Sequence, residues 1–333
     1  MNRLLNNTRL NVISRLHANT KNLFGLLAAA TILCTASCSD TNPSKAELNI
    51  DPALGQAVFA TSGDAADAFV LALRNDDPET LGKLLGADYD DILPLGEIDS
   101  EDVDNYVTAW EKTNALLPQG ENKVLIAVGE DEWTLPIPVT EGASGWYFDV
   151  EEGRERMRIR RIGRNELSVM QAVLAYYDAQ MEYAQQDRNG NGMLEYAQQF
   201  ISSPGTHDGL FWEDEDGDQF SPLGPLMADL TLGGGYYGYF YRILHAQGDS
   251  ARDGAYSYML GDRMRAGFAM IAWPEQYGES GVMSFLVSHA GIVYEQNLGP
   301  DSAEIAEATP SYNPDEGWVP AQEVNGPQVN TAQ

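Results

Sequence analysis

The amino-acid sequence predicts an α+β protein in which helices precede an antiparallel sheet twice along the chain. Apolar residues first recur at steps of three and four, the spacing of helices, between residues 65 and 117. From residue 123 short β-rich runs follow, separated by glycine and acidic residues. The order then repeats, with a long helical pattern over residues 165–186 and strand-like runs from residue 236 onward. We therefore expect two α+β domains.

Residues 1–37 are predicted to be a bacterial lipoprotein signal peptide. The apolar run "LFGLLAAATIL" follows a basic, acid-free leader and is too short to span a bilayer as a mature helix. Small residues then stand directly before Cys38 and resemble a lipobox, although Thr35 occupies the place where leucine is usual. The basic residues of the leader are Arg3, Arg9, Arg15 and Lys21.

Cys38 is therefore the predicted lipidation site. The alternative is an ordinary cleavage near Ala36 that leaves a free thiol. A lipidated cysteine carries several acyl chains, and two or more chains hold a protein stably to a membrane. Ser39 rather than aspartate follows the cysteine, which favours an outer-membrane lipoprotein that faces the periplasm.

Charge and cysteine content restrict the partners and the covalent links. Removing the four basic residues of the signal peptide leaves 16 basic and 50 acidic residues, a net charge of −34. Nucleic acid and bare anionic membrane surfaces are poor partners for such a chain. The two cysteines are Cys34, inside the signal peptide, and Cys38, so we expect no disulfide in the mature protein.

The first domain is predicted at residues 57–152, after a tether at residues 38–56. Its helices are expected from "DAADAFVLALRNDDPETLGKLLG", broken at "NDDP", and from "SEDVDNYVTAWEKTNALL". Its strands are expected from "KVLIAVG", "WTLPIPVTE" and "GWYFDV". Helices followed by a curved sheet are similar to the small folds of the nuclear-transport-factor-like or cystatin-like type.

The segment "RERMRIRRIGR", residues 154–164, contains six of the basic residues. Clustered guanidinium groups could recognise a phosphate or a lipid headgroup. The interpretation that we favour is a strap between the domains, paired with the surplus acids around it, because an anion site would have to overcome the negative field of the protein.

The second domain is predicted at residues 153–310, with a flexible tail at residues 311–333. Its long helix over residues 165–186 carries one apolar stripe that we expect to pack on an antiparallel meander. A short helix is expected to end at Ile201. The stripe consists of Leu167, Met170, Leu174, Tyr177, Met181 and Ala184.

The stretch "DRNGNGMLEYAQQ", residues 187–199, begins like a calcium-binding loop. Side-chain oxygens at positions 1, 3 and 5, a backbone oxygen at position 7 and glycine at position 6 all fit, but position 12 is a glutamine instead of a glutamate. The alternative is a turn whose Asx side chains bond only their own backbone. The candidate calcium ligands are Asp187, Asn189, Asn191, Met193, Glu195 and Gln198.

No other stretch indicates a reaction or a second cofactor. The sequence has no zinc spacing, no phosphate loop and no nucleophile elbow. We therefore favour a non-enzymatic binding or structural module of the cell envelope, held to the membrane by its lipid and contacting an envelope protein or the cell wall. The alternatives are a calcium-tuned adhesion or sensing module and a carboxylate-dependent hydrolase.

Seven motifs occur in this order along the chain: "RRIGRNE", "DRNGNGMLEYAQQ", "SPGTHDGLFW", "SPLGPL", "YYGYFYRIL", "GFAMIAWPEQYGESGVMSFLV" and "GIVYEQNLGPD". They resemble, in the same order, a family of bacterial secreted proteins and lipoproteins known as domain of unknown function 2950. The resemblance covers roughly residues 60–318 and implies no established activity. The helix-then-meander order is also loosely similar to pilin heads, but the long assembly helix of a pilin is missing.

Overall fold

A computed structural model describes residues 48–86, 100–212, 220–224 and 235–321. The predicted signal peptide, the lipidation site Cys38 and most of the predicted tether lie outside these residues. No helix among the described residues is both long and apolar enough to cross a membrane.

The first part of the fold consists of a hairpin and three helices. Thr61 and Asp77 cap the first two helices by accepting hydrogen bonds from backbone N–H groups of the first turn, and Pro78 begins the second helix without losing a hydrogen bond. The elements are β1 (Ile50–Asp51), β2 (Gln56–Ala57), α1 (Ser62–Arg74), α2 (Pro78–Leu85) and α3 (Ser100–Lys112).

An antiparallel sheet follows, in the order β3-β4-β6-β7, with β5 paired to β4. The predicted helix over residues 100–117 ends earlier, at Lys112, because residues 114–118 form the edge strand and Leu116 pairs with Ile126. The strands are β3 (Asn114–Pro118), β4 (Lys123–Val128), β5 (Trp133–Thr134), β6 (Val139–Gly142) and β7 (Gly145–Phe148).

The helices and this sheet enclose a first hydrophobic core. Phe69, Leu84, Ile126, Ile137 and Phe148 are among its largest fully buried side chains. The β1–β2 hairpin, which lies at the end of the predicted tether, belongs to this layer. The buried Gln56 amide donates to the carbonyls of Leu84 and Phe148 at 3.1 and 3.2 Å.

One helix, α4 (Val150–Tyr183), runs through both halves of the fold. Its carboxylate cap, Asp149, accepts from the Glu152 N–H at 3.1 Å. The sequence predicts the start of this helix only at residue 165. The difference arises because the basic segment, residues 154–164, is helical too and contains Gly163, which usually weakens a helix.

The predicted apolar stripe of this helix is only half correct: Met170 and Tyr177 are partly buried against the core of the second half, whereas the other large side chains are exposed. Leu167, Leu174 and Met181 are 44%, 43% and 40% exposed. The buried face lies beside this stripe and consists of Val169, Ala172, Val173, Tyr176, Ala179, Gln180 and Tyr183. Both sets of residues recur with the helical period, so periodicity alone cannot choose between them.

The long helix packs on a second sheet, the antiparallel meander that the sequence predicts. Its strand order is β16-β15-β14-β13-β8. Short two-stranded hairpins and a last helix complete this half. The elements are β8 (Tyr239–Leu244), β9 (Ala246–Gln247), β10 (Tyr256–Ser257), β11 (Met259–Leu260), β12 (Arg263–Met264), β13 (Ala269–Pro274), β14 (Ser284–Ser288), β15 (Val293–Gln296), α5 (Ser302–Ala308) and β16 (Val319–Pro320).

Two other segments differ from the sequence expectation. The short helix ending at Ile201 is absent; Ile201 instead forms a bridge with Phe211. Residues 311–321, expected to belong to a flexible tail, instead pack on the sheet: Tyr312 is buried, and Val319 pairs with Glu295. The remaining tail residues, 322–333, lie outside the described part of the chain.

Candidate functional site

The loop that follows α4 is built around the carboxylate of Asp187. Its two oxygens accept hydrogen bonds from the N–H groups of Asn191 and Gly192, at 3.0 and 2.7 Å. Gly190 and Gly192 have φ angles of +72° and +84°, which favour glycine. Positions 1 and 6 of the predicted calcium loop therefore meet in one tight turn.

Glu195 closes this loop from the other side. Its side chain is 8% exposed, and one carboxylate oxygen accepts from the amides of both Asn189 and Asn191, the latter at 2.9 Å. The other oxygen lies 3.3 Å from an Arg263 guanidinium nitrogen. The structure thus brings together four of the six candidate ligands.

Gln198 lies apart from this group, since its amide donates to the Asp262 carbonyl at 2.8 Å. Met193 stays within the loop through its N–H, which donates to the Asn191 amide oxygen at 2.9 Å, while its sulfur lies 3.7 Å from an Arg265 nitrogen. Residues 193–199 are not helical, since the Tyr196 N–H donates to the Met264 carbonyl at 2.7 Å. The loop joins a helix to an irregular segment docked on the β11–β12 hairpin, in place of the second helix that the sequence predicts.

The donor set suits a hard cation only after local rearrangement. Asp187 and Glu195 supply carboxylate oxygens, which Ca²⁺ prefers, but the amide nitrogens of Asn189 and Asn191 face Glu195. Rotation of both amides would turn their oxygens inward. No group of three or more His, Cys, Asp or Glu side chains positioned to hold a metal ion occurs among the described residues.

A second candidate is an open cleft of about 250 Å³ beside α4, whose lining is polar. Two of its three charged residues pair with each other, since the Arg161 guanidinium contacts the Glu279 carboxylate at 2.8 Å. The Ser280 hydroxyl accepts from the Gln276 N–H at 3.0 Å. The lining residues are Arg161, Glu275, Gln276, Glu279 and Ser280.

The cleft owes its shape to α4, which holds the loop between β13 and β14. Glu166 accepts from the N–H groups of Val282 and Met283, both at 2.9 Å, while Asn165 donates to the Ser280 carbonyl at 2.9 Å. Arg158 donates to the Gly278 carbonyl. These polar side chains fix the loop between β13 and β14 against α4, and the cleft is the space left between the loop and the helix.

The basic segment, residues 154–164, is engaged in the same way. Arg156 and Arg158 each contact a glutamate on the same helix at 2.7 Å, and Arg160 donates to Thr134 in the first sheet. These contacts agree with the strap interpretation of residues 154–164 rather than with an anion site. The Lys123 ammonium, through its hydrogen bond, and Arg156 lower the pKa of Glu152.

Sequence reasoning missed a buried polar network on α4. The Gln180 amide, fully buried, donates to the Tyr176 hydroxyl at 3.1 Å and to the Ala197 carbonyl at 2.8 Å, and accepts from the Ala197 N–H at 2.9 Å. The Tyr176 hydroxyl contacts the Ala269 carbonyl, and burial raises its pKa far above the usual value for a tyrosine. The signal was a glutamine on an otherwise apolar helix face, and the network has a structural role.

His289 is a half-buried polar group that the sequence did not single out. Its Nε2 atom lies 3.3 Å from the Tyr256 hydroxyl, and its ring packs edge-on to Tyr258 and Phe268. Burial lowers its pKa. Burial thus favours the neutral ring, and its Nδ1 atom has no hydrogen-bond partner among the described residues.

Comparison with known proteins gives a family but no activity. No curated protein and no solved structure matches the chain. Residues 56–321 match a protein family described as "Protein of unknown function (DUF2950)". This match covers both hydrophobic cores, the whole of α4 and the Asp187 loop, so the chain belongs to the DUF2950 family.

Proposed function

We propose that the protein is a non-enzymatic binding or structural module of the bacterial cell envelope, anchored by lipid on Cys38 and facing the periplasm. The observation that carries this proposal is the apolar signal core followed by small residues and Cys38. A lipidated cysteine would hold the folded part near a membrane, because several acyl chains together anchor stably.

The polar side chains of the folded part mostly hold neighbouring loops in place, which supports a binding or structural module rather than an enzyme. The arginines of α4 and the carboxylate of Glu166 fix neighbouring loops, and Arg242 donates to the carbonyls of Ala306 and Thr309 at the end of α5, both at 2.6 Å. Burial and the nearby Glu166 carboxylate raise the pKa of Glu295, but Glu166 is itself held by the N–H groups of Val282 and Met283. This engagement of Glu166 favours a structural role, and the hydrolase alternative stays a prediction.

The strongly acidic surface restricts the partner of such a module. A net charge of −34 after removal of the signal peptide disfavours nucleic acid and bare anionic lipid. An envelope protein or the cell wall remains as the partner class that we propose.

The anchor is tested by fatty-acid labelling of cells that produce the full chain. We expect Cys38→Ser to abolish labelling and to release the protein from the membrane fraction. Cys34→Ser is the matched control, since that residue lies within the signal peptide and should leave labelling unchanged. Labelling that persists in Cys38→Ser would overturn the anchor.

Calcium binding is a second candidate function, which would make the module calcium-tuned. The observation that favours it is the convergence of Asn189 and Asn191 on Glu195, opposite the Asp187 turn. Arg263 competes for Glu195, and only two carboxylates face the site, so we expect affinity no tighter than about 10⁻⁴ M.

A further inference from the structure

The solvent-facing side of α4 carries exposed apolar residues with no cover among the described residues. Leu167, Leu174 and Met181 recur every seven residues, each at least 40% exposed. Residues seven apart return to nearly the same side of a helix, so the three form one continuous stripe. Such a stripe on a long helix is the geometry with which helices pack on one another.

Charged residues on the same side divide the helix into two halves of opposite sign. Arg164 lies near one end of the exposed face and Asp178 near the other, both exposed. Among the described residues, neither side chain has an ion-pair partner within 4.0 Å. At 1.5 Å per residue the two positions stand about 21 Å apart along the axis.

This charge pattern is symmetric about Gln171, which is also exposed. Arg164 precedes Gln171 by seven residues and Asp178 follows it by seven. When a second copy of the helix is laid antiparallel with Gln171 facing Gln171, Arg164 of each copy meets Asp178 of the other. Leu167 of each copy then comes opposite Ala175 of the other, one residue or about 1.5 Å along the axis from Leu174.

The next charges outward follow the same symmetry but are partly engaged already. Arg160 and Glu182 stand eleven residues from Gln171 on opposite sides. Arg160 donates to Thr134, and Glu182 contacts Arg188 at 3.5 Å. The attraction between the two copies therefore comes mainly from Arg164 and Asp178.

We infer that the exposed face of α4 is a self-association surface, on which a second copy of this chain packs antiparallel about Gln171. A parallel arrangement would place arginine against arginine and aspartate against aspartate, which disfavours it. The two-fold symmetry makes the surface self-complementary, as a closed dimer requires. This surface lies wholly on α4, so association through it does not depend on the lipid anchor.

Single charge reversals test the arrangement. Arg164→Glu alone places a second carboxylate against Asp178 twice in the dimer, and Asp178→Arg alone places two arginines together twice. Each variant should raise the dimer Kd about tenfold or more by sedimentation velocity of the purified full chain in detergent. Both side chains are exposed, so the melting temperature of the monomer should not change.

Mixing the two variants gives the decisive result. A mixed dimer has two opposite-charge pairs, Glu with Arg and Asp with Arg, so the mixture should associate as tightly as the wild type. The double variant Arg164→Glu/Asp178→Arg should do the same by itself. If the mixture stays as weak as either variant alone, the antiparallel register is wrong.

A disulfide trap locates the symmetry axis. In a full chain with Cys34 and Cys38 both replaced by serine, Gln171→Cys should form a covalent dimer on mild oxidation. Leu71→Cys, on the exposed side of α1, is the control that should not. A wild-type chain that remains monomeric at all concentrations, or equal trapping at both positions, would overturn the inference.

Discussion

The Tyr239 phenol occupies the space beside Gly281 in which any side chain at that position would lie. Its hydroxyl donates to the Met283 carbonyl at 2.8 Å, and the ring is fully buried. The absence of a Cβ at residue 281 is therefore what permits the loop between β13 and β14 to close over the tyrosine.

Gly281→Ala should lower the free energy of unfolding by about 1–3 kcal/mol, because the methyl group displaces a buried ring. Gly163→Ala, within α4 and with no atom near the added methyl group, should instead raise it by about 1 kcal/mol. Urea denaturation of the two variants measures both changes. Equal effects of the same sign would contradict the packing described for Tyr239.

Neighbouring residues on α4 should respond very differently to truncation. Val173 is 1% exposed and faces the sheet, so Val173→Ala should cost about 1.5–3 kcal/mol. Leu174→Ala should stay within about 0.5 kcal/mol at protein concentrations low enough to avoid association. Thermal melts of the two variants measure this difference. A larger loss of stability for Leu174→Ala than for Val173→Ala would contradict the burial of the Val173 face against the sheet.

Acid stability should depend on Glu152. Its contacts with Lys123 and Arg156 lower its pKa from 4.5, so the folded state releases this proton more readily than the unfolded chain. The resulting stabilisation is present above pH 4.5 and is lost as the pH falls through the lowered value. Glu152→Gln should remove that part of the pH dependence in urea titrations between about pH 6 and 3.

Glu155→Gln is the matched control for this experiment. The Arg158 hydrogen bond also lowers the pKa of Glu155, but the pair is exposed to solvent, which screens it. A control variant that flattens the acid profile as much as Glu152→Gln would contradict the special role of the Lys123 contact.

A second pH dependence should arise from His289, in a higher pH range. Burial lowers its pKa below 6.5, so the unfolded chain binds the proton more readily than the folded one. Stability should therefore fall as the pH drops through 6.5 and below. In urea titrations His289→Phe should remove this loss, whereas His245→Gln, at an exposed position, should keep it.

Calcium should shift the melting temperature if the Asp187 loop holds the ion. With a Kd of about 0.1 mM, 1 mM calcium stabilises by roughly 1.4 kcal/mol. This corresponds to a rise of about 3–6 °C over the same protein in chelator. Equal midpoints for the wild type in both buffers would leave the loop as a turn.

Two variants make the calcium test specific to the observed side chains. Asp187→Ala should lose the calcium-dependent shift, whereas Gln198→Ala should keep it, because Gln198 is bonded to Asp262 instead of the loop. A third, Arg263→Ala, should increase the shift, since it removes the cation that competes for Glu195.

Local sequence signals predict most elements of this fold, because their causes are local. The "NDDP" break appears as the Asp77 cap and Pro78 at the start of α2, and the apolar run in "GFAMIAW" appears as β13. The α+β class and the C-terminal meander are confirmed. Asp187, Asn189, Asn191 and Glu195 lie in one loop because their spacing is local, while metal binding by this loop stays a prediction.

The remaining features depend on contacts between distant residues. Which face of α4 is buried depends on the sheet that covers it, and Leu174 and Val173 are equally apolar choices. Gln198 is held away from the loop by its hydrogen bond to Asp262, and the end of α3 depends on pairing between Leu116 and Ile126. No pattern within the local segment contains this information.

The sharing of one helix between two cores also affects how the protein is made. A chain exported as proposed crosses the membrane with its N-terminal part first, so Val150 and Met157 can complete the first core before residues 239–320 have emerged. During that interval Tyr176 and Tyr183 stand on a formed helix with no sheet to cover them. The emerging chain therefore exposes an aggregation-prone aromatic surface until β13 and β14 follow. A chaperone would protect the chain most at this stage.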